Sequence, residues 1–105
     1  MILIALLVAA NPYSNYTCNY AKIITTRPNG GVDVFAKPIG SAGRVEMLKV
    51  GTYVYTCDET KTWVEIRFQA NGHRCPEQTK GLDVRQAAMC NKGWVRQGEV
   101  EVLSG

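Results

Sequence analysis

The sequence has a single histidine, no C-x-x-C pair, no cluster of basic residues and no long segment with apolar residues at helical spacing. Each absence closes a class of function. Without C-x-x-C, the common redox-dithiol and zinc-ribbon patterns are gone. The 12 Lys and Arg against 9 Asp and Glu give a net charge of +3. They are spread along the chain in ones and twos, whereas a nucleic-acid footprint needs a clustered basic face or stripe. No nucleic-acid partner is therefore expected. The longest apolar run, residues 2–10, is far short of the about 20 residues that cross a bilayer, so stable membrane insertion is not expected either. No glycine-rich loop has the spacing that cradles phosphate, and no pair of carboxylates stands in an acid–base arrangement. Asp58 and Glu59 fall in a polar segment where Asp serves turn geometry. These absences imply no cofactor, no metal site and no catalytic residues.

What is present points to export. Residues 2–10 resemble the apolar core of a signal peptide, and Val8-Ala9-Ala10 resembles its small-residue cleavage site. No Lys or Arg precedes the run, and the segment is shorter than the usual 15–30 residues. A translation start placed too late would account for both. The competing reading is a buried first strand. Four cysteines, at positions 18, 57, 75 and 90, favour export independently. An even cysteine count in a short chain predicts two disulfides, which persist in oxidising compartments. A periplasmic or secreted protein is expected. Residues 11–20 form an N-terminal arm containing Tyr13, Tyr16 and Tyr20. The formal sequon Asn15-Tyr16-Thr17 carries little weight, because such triplets are common by chance.

From residue 21 onward the pattern has period two in short stretches bounded by Gly, Pro, Asn and Asp, which is the signature of short strands and tight turns. Strand candidates are 21–26, 32–36, 44–51, 52–57 and 63–68, and a last short strand pair within 93–103. In 63–68, Val64, Ile66 and Phe68 lie on one side and Glu65 and Arg67 on the other. Segment 27–31 carries hairpin-turn chemistry in Asn29-Gly30. Only 81–89 could hold a turn or two of helix. The fold class is all-β, a small barrel of five to six short strands.

The order of these pieces resembles the bacterial SH3-like domain family. "GVDVFAKPIG" corresponds to its first strand and loop, and "VEMLKVGTYVYTC" to its middle, with Val45, Leu48, Gly51 and Val54 at the matching positions. "TWVEIRF" supplies Trp63 and Ile66, and "KGWVRQGEVEVL" supplies the closing Gly93-Trp94-Val95 and Val100. The resemblance covers about residues 21–103, within a barrel domain of 21–105. It implies a non-catalytic module of an exported protein that binds a protein or a peptidoglycan peptide. The chain departs from the family in two places. Phe35 replaces the usual arginine after the first strand, and residues 69–92 form a long insertion between two strands normally joined by a few residues. Loops of such length in compact domains tend to be functional or disordered.

The insertion holds His73, Cys75 and Cys90. Four cysteines allow three connectivities. Spacing favours Cys75–Cys90, which closes a loop of about 15 residues and stabilises the fold by roughly 3 kcal/mol, together with Cys18–Cys57. A zinc set of Cys57, His73, Cys75 and Cys90 is the sharper alternative, but its spacing is poor and it leaves Cys18 over. A Cys–His catalytic pair would require a third group to hold the base, and a thiol free to attack. His73 is read instead as a solvated loop residue. The expected binding face combines the aromatics Phe35, Tyr53, Tyr55 and Trp94 with the basic Arg74, Lys80 and Arg85 of the insertion, because Trp and Tyr join large contact area to a polar tip. Trp63 is expected in the core. The alternative function is a standalone inhibitor or immunity-type protein that blocks a toxin or hydrolase.

Overall fold

The computed structural model describes residues 17–25, 30–70 and 74–103. Seven strands form one antiparallel sheet: β1 (Asn19–Ile23), β2 (Gly31–Phe35), β3 (Arg44–Lys49), β4 (Tyr53–Glu59), β5 (Trp63–Phe68), β6 (Asn91–Arg96) and β7 (Val100–Val102). Their spatial order is β3-β2-β6-β5-β4-β1-β7. A single short helix, α1 (Val84–Ala87), lies in the excursion between β5 and β6, and a 3-10 turn (Gln97–Glu99) separates β6 from β7. The all-β expectation holds, with seven strands where five to six were anticipated. The last two are not a pair. β6 runs in the middle of the sheet, and β7 crosses to the edge beside β1.

Alternation decides which side chains meet. Ala21 and Ile23, Val32 and Val34, Leu48, Val54, Val64, Ile66 and Phe68, and Val95 form one buried apolar cluster. These residues come from both ends of the strand order, so the sheet curls around a single core. Among the described residues no pairing joins the edge strands β3 and β7, and the sheet stays open. β3 carries Arg44, Glu46 and Lys49, charges that blunt an unpaired edge.

Two glycines are fixed by geometry. Gly51 takes φ +91° in the turn from β3 to β4, where its N–H donates to Ile23 O at 2.8 Å; a side chain there would be strained. Gly93 lies on the inner face of β6, and a Cβ at that position would run into Val34 Cγ1. The close approach of β6 to β2 thus depends on a missing side chain.

β5 departs from simple alternation. Trp63, Val64, Glu65, Ile66 and Phe68 are all buried, and Arg67 is half-buried. The strand is covered on both faces, which the alternating sequence does not suggest. The second cover is the excursion at Arg67, and Phe35 and Arg96 at Trp63.

Candidate functional site

Two disulfides join Cys18 to Cys57 and Cys75 to Cys90, the pairing that spacing favoured. Cys57 sits at a β-bulge in the β4–β5 pairing, and bulges re-aim side chains; its sulfur is bonded to that of Cys18, next to β1. Cys18 does not hang in a free arm. It forms an antiparallel bridge with Leu82, with hydrogen bonds of 3.0 and 2.9 Å between their backbones. Asn19 and Tyr20, expected in the arm, already belong to β1. Tyr13, Tyr16 and the apolar segment 1–10 lie outside the described residues.

Cys18, Tyr55, Cys75, Leu82, Ala87 and Cys90 make a second buried cluster on the outer face of the sheet, flanked by Tyr20 and Cys57. Polar groups hold this layer in place. Tyr55 is 4% exposed. Its hydroxyl accepts from the Gln78 N–H at 2.8 Å and lies within donating distance of the carbonyls of Pro76 (2.8 Å) and Gln78 (3.0 Å). Gln78 Nε2 donates to Gly81 O (2.6 Å) and to Gln86 Oε1 (3.1 Å). Asp83 caps α1 by accepting from the Gln86 N–H at 2.8 Å, and Gln86 Oε1 accepts the Asp83 N–H in return. This reciprocal cap is why a helix of one turn can stand here. From the sheet, Arg67 Nη1 donates to Ala87 O at 2.7 Å. Buried Glu65 pairs with Arg67 (3.4 Å) and Lys92 (3.2 Å), so its charge is compensated on both sides.

Where the excursion meets β1 and β4 it leaves a groove of about 480 Å³, lined by residues that include Tyr20, Tyr53, Tyr55, Pro76 and Glu77. Strand register assembles its aromatic wall. Tyr20 stands directly opposite Tyr55 across the β1–β4 pair, and Tyr53 lies two residues along β4 on the same face. Tyr20 and Tyr53 stack with ring centroids 5.2 Å apart and planes 7° from parallel; Tyr20 and Tyr55 meet at 5.7 Å and 52°. The Tyr20 phenol has its pKa raised above the ordinary value, first by partial burial and then by the negative potential of ionised Tyr53, Tyr55 and Glu77. Tyr53 remains 57% exposed.

The seven residues expected to bind do not form one face. Tyr53 and Tyr55 share the groove, with Tyr55 forming its floor rather than an open surface. Phe35 and Trp94 are half-buried partners across β2 and β6, farther along the outer face. Arg74, Lys80 and Arg85 are exposed on the excursion. Trp63 is buried as expected, edge-on to Phe35 at 5.6 Å and covered by the Arg96 guanidinium at 4.6 Å. Sequence reasoning missed the part of Tyr20. The signal was its spacing two residues from the buried Cys18, which on a strand puts both on one face. It also missed the apolar surface around β3, where Val45 and Met47 are about half exposed.

All four cysteines are oxidised, and neither a thiolate nucleophile nor a cysteine zinc ligand is available while they remain so. The alternative zinc set of Cys57, His73, Cys75 and Cys90 loses three of its donors in this way. His73 lies outside the described residues. Among the described residues no three His, Cys, Asp or Glu side chains converge as a metal site, and no helix is long and apolar enough to cross a membrane. Two intramolecular disulfides indicate folding in an oxidising environment. No protein-family model, curated protein or solved structure matches this chain.

Proposed function

We propose that the protein is an exported, disulfide-stapled SH3-like module that binds a protein or a cell-wall peptide and carries out no chemistry on it. The observation that carries this reading is the tyrosine-walled groove, with an exposed ring at its rim and a floor fixed by hydrogen bonds. Ligand sites are concave, largely apolar and preformed, with a few placed polar groups, and this groove has each property. The SH3-like assignment is supported by strand order along the chain: β2, then β3 joined through Gly51 to β4, then β5 and the Gly93-Trp94-Val95 strand β6. It is supported further by the way the sheet bends around one small core. Periplasmic or secreted residence is the setting in which both disulfides would persist.

The test is binding of the purified, oxidised protein to insoluble peptidoglycan, and its recovery from the native envelope fraction. A wall module sediments with peptidoglycan, and Tyr53→Ala releases it while Trp94→Ala does not. An inhibitor instead co-purifies with one protein at fixed stoichiometry and ignores peptidoglycan. Release by Trp94→Ala or Arg85→Glu alone would move the binding face away from the groove. Turnover of a peptide or ester substrate that disappears with His73→Ala would end the non-catalytic reading.

A further inference from the structure

The groove has a charge character opposite to that of the whole chain. The net charge is +3, and the excursion carries exposed Arg74, Lys80 and Arg85. Yet among the described residues that line the groove there is one carboxylate, Glu77, and neither Lys nor Arg. Lys22 stands opposite Tyr53 across the strand pair but is not part of the lining. Three tyrosine rings converge beside that carboxylate. An aromatic face attracts a cation through the negative potential of its ring, and a carboxylate nearby adds to that attraction. The lining carboxylate Glu77 supplies the formal charge and the rings supply the quadrupole. The same pairing occurs on the neighbouring strands β5 and β6, where the Arg96 guanidinium covers Trp63. There the aromatic surface already has its cation, whereas Tyr53 keeps 57% of its surface open.

We propose that the groove receives a basic side chain, arginine or lysine, of a partner polypeptide, laid against the Tyr20–Tyr53 stack with its charge toward Glu77. This rests on the reading of the groove as a binding site and specifies the chemistry of what enters it. The partner is thereby a chain that presents an exposed base flanked by residues small enough to follow the groove. The stem of the base contacts the rings, and its head meets the carboxylate at the rim.

The experiment is an NMR titration of the full oxidised chain, following the ring resonances of Tyr20 and Tyr53. Three blocked tripeptides serve as probes: Gly-Arg-Gly, Gly-Lys-Gly, and Gly-citrulline-Gly as the neutral isostere of the first. The expected result is that the two charged peptides shift both rings and the citrulline peptide binds about twofold to fivefold more weakly than its arginine counterpart. Glu77→Gln should weaken the charged peptides by about twofold to fivefold and lower their salt sensitivity. Tyr53→Leu, which keeps apolar bulk and removes one π-face, should reduce the preference for arginine over citrulline. Equal binding of citrulline and arginine in the groove would overturn the cation proposal and leave the groove a binding site. Unperturbed rings with every peptide would also overturn it, and recovery with peptidoglycan or an envelope protein then decides separately whether the binding-module reading stands.

Discussion

The molecule holds two buried clusters on opposite faces of the same strands, and they are built by different means. The inner one is wholly apolar, drawn from six strands, and needs only alternation and a glycine at position 93. The outer one holds Tyr55, Leu82, Ala87 and three of the cysteines, and it is tied down by disulfides, a capped helical turn and the hydroxyl of Tyr55. A small domain buries too little surface to cover both faces of its sheet by hydrophobic burial alone. Covalent links and directed hydrogen bonds make up for this in the outer layer. They also leave that layer with an open seam, and the tyrosine groove lies along it.

If this contrast is right, the two regions respond differently to substitution. The largest effect belongs to the inner core. Ile66→Ala should cost about 2–5 kcal/mol in chemical denaturation, because the side chain is fully buried and its removal leaves a cavity. Next comes the excursion's own staple. Replacing Cys75 and Cys90 together by alanine should cost about 3 kcal/mol, from the 15-residue separation of the pair. The loss should appear first as altered tyrosine fluorescence, since Tyr55 lies beneath that segment. Tyr55→Phe should cost about 1–3 kcal/mol, because the Gln78 N–H is left facing a ring edge in a half-buried site; the groove should lose its shape while the sheet's circular dichroism is retained.

The smallest effect is one of pH. Tyr20 has its pKa raised above 10.0 in the folded chain, so it ionises later there than in the unfolded chain. Its contribution to stability is complete below the ordinary value and falls as pH climbs through the folded value. The stability read from denaturation curves should therefore fall less between about pH 9 and 11 in Tyr20→Phe than in the unaltered protein.

Much of the inner region could be read in the sequence. Val64, Ile66 and Phe68 alternate with Glu65 and Arg67, and the strand falls at residues 63–68 as read. The disulfide pairing could be favoured from spacing, because a short loop and a long one are the least entangled choice. The outer region was harder to read for a physical reason. Period two says which residues share a face, but not whether that face is covered. Tyr55 therefore looked exposed, and it is instead buried as the groove's floor, holding Pro76 and Gln78. Glu65 and Trp63 were split between surface and core by polarity, yet both are buried: Trp63 lies under Phe35 and Arg96, and Glu65 is paired with Arg67 and Lys92. Tyr20 was hidden because β1 begins two residues earlier than the apolar stretch that marks it. The partners of a residue inside a long irregular segment depend on distant strands, and local pattern carries no information about them.

The central claim is that the outer layer is a separately held unit on a self-sufficient inner core. Native-state hydrogen exchange on the Cys75→Ala/Cys90→Ala protein tests it most directly. The amides of Gln78, Leu82 and α1 should lose protection while those of β5 and β6 keep theirs, since local opening need not cross the sheet. Uniform loss of protection across α1, β5 and β6 would contradict it, and would mean that both clusters form a single cooperative core.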